Sequence, residues 1–143
     1  MSSSPFISGT RAEPISVLVA DDVPEIREMI RRWLGESGCA VTCVGTGREA
    51  IQAIRGQPFD VLITDILMPD GDGLEVISEL RRAKLPVGIL AISGGGDLLR
   101  ADDCLKIAKG LGAHHLLVKP FDRAQLLEAF ERVLRDRRPA ATP

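Results

Sequence analysis

The chain has 143 residues, 45% hydrophobic and 27% charged, which suffices for one domain with its own core and excludes a disordered polymer. A formal net charge of -2 gives no overall attraction to nucleic acid or an anionic membrane, and no apolar run is long enough to cross a bilayer. The opening residues do not read as a secretory leader, and Cys39, Cys43 and Cys104 lack paired spacing, so the cysteines read as small buried hydrophobes and the expected setting is reducing and cytoplasmic.

Ser, Pro and Gly make residues 1–14 a loose tail, and residues 136–143 read as another, leaving 15–135 as the domain. The first strand, "ISVLVA" (15–20), is apolar apart from Ser16, as burial on two faces requires, and it leads into Asp21 and Asp22. Pro24 suits the first turn of a helix carrying Ile26, Met29, Ile30, Trp33 and Leu34 at helical spacing, with Gly35 and Gly38 near its stop. "CAVTCV" (39–44) is the second strand, and Ala50, Ile51 and Ile54 stripe the second helix. "FDVLIT" (59–64) is the third strand, followed by Asp65; Leu74, Ile77 and Leu80 mark the third helix. "PVGILAI" (86–92) leads into Ser93, Gly94, Gly95 and Gly96, and Leu98, Ala101, Leu105 and Ala108 define a fourth helix. "HHLLV" (114–118) ends at Lys119, and Asp122 with Gln125 forms a capping box ahead of a fifth helix.

Five alternations of strand and helix predict an α/β fold, a doubly wound five-stranded parallel sheet with helices on both faces. Ligand chemistry in such sheets belongs at the carboxyl ends of the strands, where Asp21, Asp22, Asp65, Ser93 and Lys119 all fall. Two like charges 4 Å apart repel by about 4 kcal/mol at an effective dielectric near 20, so three close carboxylates cost on the order of 10 kcal/mol. Lys119 alone cannot balance three acids, and an all-oxygen donor set selects Mg²⁺. With charge neutralised by metal, ammonium and hydroxyl, the Asp65 carboxylate becomes a nucleophile toward phosphorus.

Other signals read as structural. His114 and His115 open a strand, alternate faces and lack ligand partners. The three glycines have no following P-loop lysine and serve as a pliable segment. Arg132, Arg135, Arg137 and Arg138 suit a solvated helix end better than a nucleic-acid face.

"ADD" after the first strand, "DILMPDGDG" after the third, "AISG" after the fourth and "VKPF" after the fifth resemble a bacterial response-regulator receiver domain over roughly residues 15–135. The resemblance implies the flavodoxin-like receiver topology, Asp65 as phosphoacceptor, and Mg²⁺ held by Asp22, Asp65 and the Leu67 carbonyl, with Asp21 acting partly through water. It implies that Ser93 and Lys119 contact the phosphoryl group and that the bond before Pro120 is cis. Leu116 stands where many receivers carry an aromatic switch residue, so the expected switch region of Ser93, Gly94, Gly95, Gly96 and Leu116 works without a turning ring.

The expected function is a phosphoacceptor in a two-component phosphorelay, a signalling protein rather than an enzyme. It would take phosphate from a histidine kinase or histidine phosphotransfer protein, as a stand-alone receiver, and signal by contact with a downstream protein, not nucleic acid or membrane. The alternative within signalling is a receiver fragment of a larger regulator or hybrid kinase. A Mg²⁺-dependent phosphatase of the haloacid-dehalogenase type needs Asp-x-Asp after its first strand, whereas Asp21 is followed by Asp22 and Val23. A flavin-binding protein is disfavoured because the acid pair repels phosphate.

Overall fold

The computed structural model describes residues 13–68, 73–94 and 108–137. Gly95, Gly96, Cys104, Arg138 and most of the expected fourth helix lie outside them. In chain order the elements are β1 (Ser16–Ala20), α1 (Pro24–Glu36), β2 (Ala40–Val44), α2 (Gly47–Gly56), β3 (Val61–Asp65), α3 (Gly73–Arg82) and β4 (Gly88–Ser93). A helical turn α4 (108–111), then β5 (His115–Val118) and α5 (Arg123–Asp136), complete them.

The strands form one parallel sheet in the order β2-β1-β3-β4-β5. Chain order therefore reverses direction between β1 and β3, which places the crevice of a doubly wound sheet beside the acids that end those strands. Because side chains alternate along a strand, each inner strand feeds both faces. Val17, Val19, Val61, Ile63, Leu90 and Ile92 pack under α1 and α5 with Leu34 and Phe130, while Leu18, Leu62, Ile89 and Ala91 pack under α2 and α3 with Ile54 and Val76. β3 is buried along its whole length, including its acid.

Several local expectations hold at single residues. Pro24 opens α1; Gly38 adopts φ 93°, a left-handed conformation in which glycine meets no Cβ penalty, while Cys39 N–H donates to Leu34 O at 3.0 Å to close the helix end. Asp122 and Gln125 form the reciprocal capping box on α5. Strand ends differ by a residue or two from the apolar runs. Asp65 and Ser93 are the last residues of their strands rather than the first beyond them, because Asp65 still pairs with Ile92 and Ser93 with Val118. Asp21 and Asp22 do not cap α1, whose N-cap is Val23 without a side-chain bond.

Cys39 is buried and Cys43 half-buried, neither in a disulfide and both packed with the α1–α5 core. Among the described residues, no helix is long and apolar enough to cross a membrane. Arg132 and Arg135 pair with Glu128 and Glu131 one turn earlier on α5.

His114 has a structural task. Its ring Nδ1 accepts the Ile89 N–H at 3.0 Å, and the His114 backbone N–H donates to Ile89 O at 2.8 Å, extending the β4–β5 ladder by one rung. Burial, with nearby Arg81 adding to it, pulls its pKa below the ordinary 6.5. The accepting nitrogen must stay unprotonated, so below 6.5 the unfolded chain binds a proton that the folded chain refuses. This contribution to stability is present above that value and lost as pH falls toward the lowered folded one. His114→Asn keeps an acceptor near the Nδ1 position and cannot titrate. Urea unfolding on both sides of the histidine range is expected to show the parent weakening in acid and the variant weakening less; equal acid slopes would remove His114 from this role.

Candidate functional site

At the carboxyl end of the sheet, β1 delivers Asp21 and Asp22, β3 delivers Asp65, and the segment after β5 delivers Lys119. One carboxylate oxygen from each of the three acids lies within 4.8 Å of the others. Asp21 is fully buried, Asp65 is 7% exposed and Asp22 is exposed. A like-charged cluster this tight needs countercharge, and Lys119 supplies part of it: its Nζ lies 2.9 Å from Asp65 Oδ2 and 3.0 Å from Asp21 Oδ2.

The main chain contributes as well. Val23 N–H donates to Asp21 Oδ1 at 2.8 Å, and Leu67 N–H donates to Asp65 Oδ1 at 3.1 Å. Burial nonetheless raises the Asp21 pKa, against the lowering effects of the Val23 N–H and Lys119. Burial alone would depress the Lys119 pKa, but its bond to Asp65 and the nearby Asp21 carboxylate outweigh that and raise it, so the ammonium stays charged.

Asp21 Oδ2 is a buried acceptor without a well-aligned hydrogen bond, although the ammonium is close. A buried hard oxygen with no aligned donor, beside two further carboxylates, is a donor set that fits a small divalent cation, and Mg²⁺ is the cation such oxygens select. Leu67, whose carbonyl is the expected fourth donor, is 74% exposed at the rim.

Ser93 ends β4 one rung beyond Ile92, the partner of Asp65, and its carbonyl accepts the Lys119 N–H at 2.8 Å. Ser93 and Lys119 are thus carried on hydrogen-bonded neighbouring segments. The Lys119–Pro120 bond is cis, as expected. Leu116 is half-buried against the α2–α3 core, opposite Ala91, and Gly94 is exposed beyond Ser93.

Two residues here were not singled out by sequence. Arg27 on α1 donates from Nη1 to the Asp21 carbonyl at 2.7 Å. Gly73, the first residue of α3, sits against the end of β3: a Cβ there would lie 2.0 Å from the Asp65 carbonyl oxygen and 2.9 Å from Thr64 Oγ1. Its N–H also donates to Ile66 O at 2.9 Å, so retreat would break a bond. Gly73→Ala is therefore expected to cost about 3 kcal/mol, the upper range for overpacking, read as a lower midpoint in chemical denaturation. An unchanged midpoint would show that α3 can back away freely.

The response regulator receiver domain family profile matches residues 17–131. The transcriptional regulatory protein AruR of Pseudomonas aeruginosa is 36% identical over 126 residues, covering 83% of this chain and 49% of that protein. Among solved structures, the chemotaxis response regulator CheY4 of Vibrio cholerae superposes with a TM-score of 0.75 at 32% identity, covering 85% of this chain and 99% of that one. The response regulator TrrA of Thermotoga maritima, solved in complex with Mg(2+)-BeF, gives 0.72 at 29% identity over 84% of this chain and 99% of that one. The chain spans about half the length of curated relatives such as AruR and a transcriptional regulatory protein of Mycobacterium tuberculosis, TcrA.

Proposed function

The chain belongs to the response regulator receiver domain family of two-component signalling, and from that premise we propose that it accepts a phosphoryl group on Asp65 from a phosphohistidine donor and signals by contact with another protein. The observation that carries this reading is the meeting of Asp65 with Asp21, Asp22 and Lys119 at one end of the sheet.

Asp65 stands at the end of a strand fixed on both sides, so its carboxylate is presented without a rotating backbone. A carboxylate oxygen forms the new O–P bond as the N–P bond of the donor breaks. The departing imidazole nitrogen keeps that electron pair and takes a proton from solvent. Lys119, already within hydrogen-bond reach of Asp65, offers its ammonium to the incoming phosphoryl oxygens. Ser93 offers its hydroxyl from the neighbouring strand. Asp21, Asp22, Asp65 and the Leu67 carbonyl would hold Mg²⁺, which when bound neutralises phosphoryl charge and polarises phosphorus.

The product adds charge and acceptor oxygens at the end of β3. Ser93, followed by exposed Gly94, is the residue through which β4 responds, and the Leu116 strand is its hydrogen-bonded neighbour. The donor is a histidine kinase or phosphotransfer protein acting in the cytoplasm. A second reading, a receiver that is one part of a longer transcriptional regulator, is favoured by the chain's span of about half its curated relatives. The intact mass of the product expressed from its native locus separates the two.

The proposal is tested by incubating the chain with acetyl phosphate, with and without Mg²⁺, and weighing it intact. One phosphoryl group gained only with Mg²⁺ supports the reading. No gain, together with none from any histidine-kinase phosphodonor, overturns it.

A further inference from the structure

We propose that Arg27 is a positioning residue for the acidic pair: its guanidinium, passing over the bare backbone of Gly45, fixes the Asp21–Asp22 peptide and thereby sets the affinity of the site for a divalent cation. The inference rests on the Mg²⁺ reading of the site and goes beyond it to a residue that touches neither metal nor phosphoryl group.

Three local facts converge on this peptide. Arg27 Nη1 donates to the Asp21 carbonyl at 2.7 Å. That carbonyl belongs to the peptide joining Asp21 to Asp22, so its direction sets the plane from which both side chains project. The strand supplies the other constraint, since Asp21 N–H donates to Val44 O at 3.2 Å. With its N–H and C=O both bound, Asp21 presents one buried carboxylate, and Asp22 follows on a peptide that cannot rotate freely.

Gly45 makes room for this arrangement. A Cβ there would stand 3.1 Å from Arg27 Nη1 and 3.7 Å from Cζ, and the guanidinium would have to give way. Gly45 is itself held, its N–H donating to Glu49 Oε1 at 2.9 Å from the first turn of α2. Arg27 thus ties α1, the β2–α2 connection and the end of β1 together at the acids. A charged donor to a carbonyl is among the stronger hydrogen bonds, and groups that orient metal ligands typically govern affinity by about 10–100-fold.

The test uses the full chain and Mg²⁺ alone, titrated calorimetrically, with thermal unfolding in chelator measured in parallel. Arg27→Gln is expected to weaken Mg²⁺ binding at least about tenfold. Arg27→Lys, which keeps the charge but not the planar fork, should recover part of it. Gly45→Ala, with Arg27 intact, is expected to weaken binding several-fold at an unchanged unfolding midpoint, and it decides the matter should Arg27→Gln fail to fold. Parent affinity in Arg27→Gln and in Gly45→Ala overturns the positioning role while the Mg²⁺ reading stands. Absence of Mg²⁺ binding by the parent overturns both.

Discussion

Asp65→Asn is expected to gain no phosphoryl group under conditions that load the parent chain. The amide presents no anionic oxygen to phosphorus, so the O–P bond cannot form at that position. The two other acids of the cluster do not replace it. Asp21 is fully buried with Oδ1 engaged by the Val23 N–H, and Asp22 is exposed to water instead of being fixed in a buried strand. The substitution also removes one of three crowded negative charges, so the variant is expected to unfold at a denaturant concentration no lower than the parent's. Loss of the adduct then reports chemistry rather than collapse. Intact mass spectrometry under mild, neutral conditions reads the result, and an adduct persisting on the variant would move the acceptor to Asp22.

Lys119→Met is expected to destabilise the metal-free chain at neutral pH by about 3 kcal/mol, because it strips the ammonium from two buried acids and leaves them facing each other. The lysine side chain is 21% exposed, while those of Asp21 and Asp65 are 0% and 10% exposed, so water replaces the ammonium poorly. A loss of this size is a large share of the 5–15 kcal/mol typical of a domain. Its pH dependence follows from Asp21. Burial already raises that carboxyl above its ordinary 3.8, and without the lowering effect of Lys119 it rises further. The folded variant then holds a proton that the unfolded chain has released, so its stability falls as pH rises through the raised value and recovers below it. Denaturation in chelator across the acid range is the measurement. A variant that tracks the parent at every pH would show that Lys119 is not the countercharge.

The fold was legible because β1, β3 and β4 are buried on both faces and therefore appear as predominantly apolar runs. The acids were legible for the complementary reason: Asp21 and Asp65 stand where such runs stop, and a carboxylate at that place has no packing explanation. The exact strand ends were not, since hydrogen-bond pairing carries β3 through Asp65 whatever its polarity, and delays β4 to Gly88, two places after Pro86. Arg27 was missed because an arginine on an amphipathic helix normally reads as solvated surface. Its target is a main-chain carbonyl, which leaves no mark in side-chain sequence. Gly73 was in view within the "DGDG" run but reads there as turn chemistry, and only the close approach of α3 to Asp65 distinguishes it.

β3 lies in the middle of the sheet, bonded to β1 on one side and β4 on the other, with a core on each face. Backbone amides in such a strand exchange hydrogen with solvent only when the whole domain opens, whereas the edge strands β2 and β5 can fray at lower free energy. Asp65 thus stands at the end of the central strand, where amide exchange is expected to be slow. Whatever strain a modified Asp65 imposes cannot be absorbed by local opening of β3, and is passed outward to the segments that open more readily.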